Sequence, residues 1–229
     1  MEGYESDKEQ WEWVKEQVRQ NGPAVIIAVA LAVAAVFSWR WWQAHQDTRQ
    51  LVAGGMYMQM VQALERGDRT QALVLLGELE RDYASSPYTD QAKLLAGRVY
   101  VDDGELDRAA GELAGVAERS KDRELAVVAR LRLARVEIAQ GKPDGALATL
   151  GGSAAAAGAF AARYHEVRGD AYYAKGDKAT ALSEYRSAQA AGAGTDAALL
   201  QLKIADLAGA APPVTPVAVQ QPAAPAPGK

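Results

Sequence analysis

Hydrophobic and polar positions along this chain follow two patterns that meet near residue 43. From Gln20 to Trp39, 20 residues pass without a charge, and Arg19 and Arg40 bracket the run. Its centre, AVIIAVALAVAAVF, is apolar on every face, so it lacks the polar stripe of a surface helix. At about 1.5 Å per residue such a helix covers roughly 30 Å, the thickness of the hydrocarbon layer. Asn21-Gly22-Pro23 supplies a start for it, because proline in the first turn has no needed hydrogen bond to lose. Beyond the run, apolar residues recur at helical spacing in shorter segments. They predict helices over 48–65, 70–83, 88–102, 105–118, 122–139, 143–150, 157–174, 178–190 and 196–207.

Where the patterns meet stands FSWRWWQAHQ, with Trp39, Arg40, Trp41 and Trp42 together. Indole rings concentrate at the headgroup level of a membrane, and an arginine there can reach the phosphates. A base-stacking platform would need further basic neighbours, and a buried soluble helix would keep a polar stripe. The cluster is therefore expected to be the membrane interface of an anchor over residues 21–42. A cleaved signal peptide has a basic start and a short apolar stretch, whereas the first 20 residues of this chain hold six acids and three bases. An uncleaved anchor is expected. Lys8, Lys15 and Arg19 precede it and Arg40 and Arg49 follow, a balance that does not decide orientation by itself.

The second pattern is a repeat. RGDRTQALVLLGEL from Arg66, DGELDRAAGELAGV from Asp103, QGKPDGALATLGGS from Gln140 and KGDKATALSEYRSA from Lys175 align without gaps. Each holds a glycine (Gly67, Gly104, Gly141, Gly176), an alanine five residues on (Ala72, Ala109, Ala146, Ala181), and a large residue four beyond that (Leu76, Leu113, Leu150, Tyr185). A glycine in the left-handed conformation ends one helix; the alanine and the large residue share a face of the next. Gly97 with Tyr100, and Gly169 with Tyr172, stand seven and four residues before their turn glycines.

This arrangement resembles the tetratricopeptide repeat, although the glycines lie 37, 37 and 35 residues apart against a usual period of about 34. The fold class expected is all-α: one transmembrane helix, then a solenoid of helical hairpins with about four repeats and a capping helix. Solenoids of this kind present an extended concave surface to partners. The resemblance implies a groove lined by the first helices, at positions thirteen, ten, six and three before each turn glycine. In this sequence the candidates from that register are Tyr57, Leu94, Arg98, Val101, Leu131, Arg135, Ile138, Arg163, Glu166, Asp170 and Tyr173. Arg98 and Arg135 occupy equivalent positions, where two guanidinium groups could grip carboxylates or could simply face water.

Composition narrows the function. Net charge is −4, and residues 43–208 hold 20 Lys and Arg against 23 Asp and Glu, without the basic stripe a nucleic-acid binder needs. With no cysteine and only His45 and His165, disulfides, thiolate metal sites and cysteine nucleophiles are excluded, and no triad or metal cage can be drawn. No cofactor, metal or enzymatic activity is expected. From Gly209 the chain has six prolines in 21 residues and is too poor in core-forming residues to fold, so residues 209–229 are expected to form a disordered Ala/Pro-rich tail.

The whole arrangement further resembles the YfgM family, the ancillary subunit of the SecYEG translocon. The resemblance runs through Tyr4-Glu5, Glu9-Gln10, Asn21-Gly22, Trp39-Arg40-x-Trp42 and His45-Gln46, and resumes in LRLARV (Leu131 to Val136) and RGDAYYAKGDKATA (Arg168 to Ala181). It implies a single-pass protein of the bacterial inner membrane, with residues 1–20 cytoplasmic and a periplasmic repeat domain over 43–208. It also implies the SecYEG translocon and the membrane-anchored periplasmic chaperone PpiD as partners, beside the lipid bilayer, with no nucleic acid and no catalytic residues. A scaffold for another cell-envelope assembly machine and a cytoplasm-facing adaptor are the alternatives. The Ala/Pro tail and the alanine-rich stretch from Ala154 to Ala162 depart from the family pattern.

Overall fold

A computed structural model of the chain describes residues 3–151, 154–192 and 194–209; within the first helix, the side chains of residues 3–26, 28, 29 and 44–47 lie outside that description. The described residues are helical throughout, with no strand among them. In order they form α1 (Gly3–Glu65), α2 (Arg69–Asp82), α3 (Pro87–Asp102), α4 (Leu106–Arg119), α5 (Arg123–Ala139) and α6 (Pro143–Leu150). A 3₁₀ segment (Ala154–Phe160) leads into α7 (Ala161–Ala174), α8 (Lys178–Ala191) and α9 (Ala197–Ala208).

Two helix limits differ from the sequence expectation, and both have local causes. A helix starting at Asn21-Gly22-Pro23 and a second starting at residue 48 are replaced by a single helix from Gly3 to Glu65. Neither glycine nor proline occurs between Pro23 and Leu51, so nothing in that stretch breaks the backbone ladder. The helix expected from residue 157 starts instead at Ala161, because Gly158 takes φ 55° and ψ −123°, outside any helical region. The expected tail, beyond Gly209, lies outside the described residues.

The turns that join α1 to α2, α3 to α4, α5 to α6 and α7 to α8 are built alike. Gly67, Gly104, Gly141 and Gly176 have φ of 76°, 78°, 74° and 83°, values that a side chain would make costly. At each turn two backbone bonds recur, as in Gly104 N–H to the Val101 carbonyl (3.0 Å) and Glu105 N–H to the Tyr100 carbonyl (2.8 Å). This is the Schellman termination, which satisfies carbonyls the helix leaves open. Asp68 and Asp177 then cap the N-termini of α2 and α8 by accepting from Gln71 and Thr180.

Packing follows from the small residues. Ala72, Ala109, Ala146 and Ala181 are fully buried, with Leu76, Leu113, Leu150 and Tyr185 buried beside them. Each second helix packs on its own first helix and on the first helix of the next hairpin. The apolar interior forms one cluster from α1 to α5, a second across α5, α6, the 3₁₀ segment and α7, and a third between α8 and α9. α9 rests on α8 through Leu200, Ile204 and Leu207, covering an apolar edge that would otherwise face solvent.

Candidate functional site

The first helices α1, α3, α5 and α7 neighbour one another in chain order, but not equally closely. α5 leans heavily on α4 and touches α3 only lightly. A channel of about 340 Å³ opens between α3 and α5, with Gly97, Val101, Leu113, Val136 and Ala139 among its lining residues. Arg98, Arg132 and Arg135 line the same channel. A second hollow of about 430 Å³ lies between α1 and α3, bordered by Tyr57, Val61, Leu64 and Leu95, and Arg98 borders it too. Gly97 lets α3 and α4 approach closely, since a Cβ there would meet the Leu113 side chain at 3.0 Å.

The structure brings Arg98, Val101 and Arg135 to one channel, with Tyr57 in the adjoining hollow. Leu94 and Leu131 are 6% and 3% exposed and belong to the core. Ile138 is half-buried and packs against the cluster shared with α7. Tyr173 is an exposed large aromatic. Arg132 was outside the expected set because its position, nine before Gly141, is not one of the four carried over. The signal for it was the spacing Arg132, Arg135 within LRLARV, three apart and so on neighbouring turns of one face.

The far end of this face has a different character. Arg163 donates to the Gly194 carbonyl at 3.0 Å. Glu166 is buried and accepts from Arg135 Nη2 at 3.3 Å and from Lys203 Nζ at 3.2 Å. Lys203, on α9, also meets Asp170 at 2.7 Å, and the Tyr185 hydroxyl donates to the same carboxylate at 2.8 Å. Burial, reinforced by the bond to Asp170, pushes the Tyr185 phenol far above its ordinary range. The carboxylates at this end are thus committed to side chains of the same chain.

At the channel the balance is reversed. Arg98 faces Asp102 at 3.8 Å with its side chain 77% exposed, a distance too long for a hydrogen bond. Arg132 donates to the Leu94 carbonyl at 3.1 Å. Partial burial, with the positive charges of Arg98, Arg135 and Arg163, holds the Arg132 guanidinium below its ordinary value, although an arginine so shifted stays charged at any physiological pH. His165 and Arg168 share Glu184, at 2.8 and 3.6 Å, which ties α7 to α8. Among the described residues no group of three or more His, Asp or Glu is placed to hold a metal ion.

At the amino-terminal side, Trp39, Arg40, Trp41 and Trp42 lie within α1, all exposed, and the rings of Trp39 and Trp42 stand 5.4 Å apart. Among the described residues no single helix is long and apolar enough to cross a membrane. The side chains of residues 21–26, 28 and 29 of the expected anchor fall outside that set.

The family pattern of a tetratricopeptide repeat-like domain matches residues 15–209. A protein of Escherichia coli (strain K12) named ancillary SecYEG translocon subunit is 34% identical over 213 residues, covering 90% of this chain and 99% of that relative. Proteins of the same name from Haemophilus influenzae and Aggregatibacter actinomycetemcomitans are 26% and 27% identical, each over 85% of this chain and 94% of the relative. No solved structure matches the chain. Turn glycines, hairpin packing and near full-length likeness converge: the chain belongs to the YfgM family and folds as its tetratricopeptide repeat-like domain.

Proposed function

We propose that this protein is a non-enzymatic interaction module anchored in the inner membrane beside the SecYEG translocon. Residues 21–42 form the anchor, residues 1–20 are cytoplasmic, and the hairpins of 43–208 face the periplasm. There they assist proteins leaving the channel together with a PpiD-like periplasmic chaperone. The observation that carries this reading is the likeness to the Escherichia coli ancillary translocon subunit over 90% of this chain and 99% of that protein's length. The uncharged run from Gln20 to Trp39 and the exposed tryptophans that follow it support the anchor.

The mechanism is tethering. A domain confined to the membrane plane meets a neighbouring channel at an effective concentration far above its bulk value. Weak contacts at the first-helix face are then sufficient to hold a chaperone or an emerging chain for a useful time. Tyr57, Arg98, Val101 and Tyr173 are available for such contacts. Arg163, Glu166 and Asp170 contribute by shaping the end of the face.

Photo-crosslinking side chains placed at Trp42 and at Val101 in the full-length protein test this reading, with the captured partners identified by mass. Crosslinks to translocon subunits from Trp42, and to a periplasmic chaperone or a secreted chain from Val101, are expected. Crosslinks to cytoplasmic proteins alone, or a cytoplasmic signal from a reporter fused after Lys229, overturn it.

A further inference from the structure

Helix α1 has two sides that face different surroundings. One is buried in the domain through Ala53, Met60 and Ala63, which join the first apolar cluster. The other carries Trp41, Thr48, Leu51, Gly55, Met58 and Gln62, all of them exposed. Leu51 and Met58 are large apolar residues left 78% and 54% exposed. From Thr48 onward these positions alternate three and four residues apart, and Trp41 stands seven before Thr48. That is the spacing of a seam along which one helix winds around another. No Asp, Glu, Lys or Arg occurs from Leu51 to Leu64, in a domain that elsewhere carries both signs freely.

The two neighbouring glycines of α1 separate what the domain needs from what this outer side needs. Glycine weakens a helix interior, so each calls for a reason. At Gly54 a Cβ would stand 3.1 Å from the Tyr88 ring, whereas at Gly55 it would meet nothing within 4 Å among the described residues. Packing inside the chain accounts for Gly54. Gly55 lies in the middle of the exposed seam, where a missing side chain lets a second backbone come close.

We propose that α1 pairs with α1 of a second copy of this chain as a parallel two-helix coil, closest at Gly55, with Leu51 and Met58 each against its own counterpart. In a symmetric parallel pair every seam residue meets itself, so any charge on the seam would face a like charge. An uncharged seam meets that condition, and it offers nothing to a partner recognised by charge. Gln62 suits self-pairing too, because an amide both donates and accepts. From Trp41 to Gln62 the seam covers about three heptads, long enough for this kind of pairing. The parallel direction rests on the proposed anchor: two chains inserted the same way in one bilayer bring equal positions to equal heights.

The chain has no cysteine, so single substitutions in the full-length protein report contact directly. In inner-membrane vesicles, Leu51→Cys and Met58→Cys are each expected to form disulfide-linked dimers under mild copper-phenanthroline oxidation. Val74→Cys, on an exposed position of α2, is expected to stay monomeric. Adding Gly55→Lys to Met58→Cys sets like charges face to face and should lower the dimer yield about tenfold. The open space at Gly55 should leave the helical circular dichroism spectrum unchanged; should that variant unfold, Leu51→Lys takes its place. A photo-crosslinking side chain at Met58 is expected to give an adduct of twice the chain's mass. Equal dimer yields at residues 58 and 74, a full yield from a folded lysine variant, or photo-adducts with a different protein alone overturn the pair. Co-expressed Leu51→Cys and Met58→Cys that link only to each other overturn the parallel direction. An alkaline carbonate wash of the same vesicles separates two failures. Protein that stays with the membrane but gives no dimer removes the pair alone, whereas protein released by the wash removes the anchor on which its direction rests.

Discussion

Between α3 and α5 the first-helix face carries arginines with spare donors over an apolar floor; at α7 the same face carries Glu166 and Asp170, each already held by Lys203. Ten residues before the turn glycine, the second and third hairpins bury Leu94 and Leu131, and the fourth buries Glu166. A lone carboxylate in that place would be expensive, and it is tolerated because Arg135 and Lys203 reach it from either side. The difference teaches what the last helix does to the face. α9 seals the apolar edge of α8 and, through one lysine, pairs the acidic end, while Arg98 in the basic stretch has only the exposed Asp102 opposite it.

The largest test of this contrast is Lys203→Ala, which takes one of two partners from each of Glu166 and Asp170. It is expected to cost about 3 kcal/mol in urea denaturation, and adding Glu166→Gln should recover part of the loss. Next come the two glycines that begin the equivalent close approaches. At Gly169 a Cβ would stand 2.5 Å from the ring of buried Tyr185, and at Gly97 it would stand 3.0 Å from the more pliable Leu113. Gly169→Ala should cost about 2 kcal/mol and Gly97→Ala about 1 kcal/mol, read as separate shifts of the denaturation midpoint. Equal costs would show that the two hairpins yield alike. Asp196 caps α9 by accepting from the Ala198 and Leu199 N–H groups. Asp196→Ala should loosen that helix by about 1 kcal/mol, seen as faster amide exchange in α9 with α3 and α5 unaffected.

The smallest effect lies at Glu112 on α4. Burial first, and the nearby Glu80 charge second, raise its carboxyl above the ordinary value. A raised carboxyl favours folding fully while it is protonated in both states and loses that contribution as pH climbs through the folded value. Glu112→Gln should therefore match wild type in acid and exceed it near neutral pH, by no more than about 0.5 kcal/mol, because Lys93 and solvent screen the group. A pH-independent difference between the two proteins would discount burial of the charge as the cause.

The repeating parts of this fold were legible because local chemistry alone produces them. A glycine at positive φ and a fully buried alanine mark each turn, with an aspartate cap at the first and last, and the limits of α2 to α6, α8 and α9 lie within one residue of expectation. Two boundaries were not legible from such signals. The continuity of α1 is decided by what is missing between Pro23 and Leu51, and the start of α7 by a single glycine at Gly158. The site was legible only as a register. Positions counted from the turn glycines found Arg98 and Arg135, but whether a position lines a channel or joins the core depends on how far α5 leans from α3. That tilt is a property of packing across hairpins, so the register includes the buried Leu94 and Leu131 and leaves out Arg132. Lys203 was invisible for the same reason: it lies 33 residues in sequence from Asp170, on a helix whose docking no short pattern specifies.

The unbroken α1 makes orientation a matter of residue count. If residues 21–42 sit in the bilayer as proposed, the stretch from residue 43 to Glu65 continues the same helix into the first hairpin. Each added residue would lift the first hairpin by about 1.5 Å and turn it by about 100° around the stalk. A single-residue insertion near Gln43 would therefore aim the channel between α3 and α5 away from its present bearing while changing its height hardly at all. A full-turn insertion would restore the bearing and raise the domain by about 5 Å. The azimuth of the protein toward its neighbour is thus written into the length of one helix.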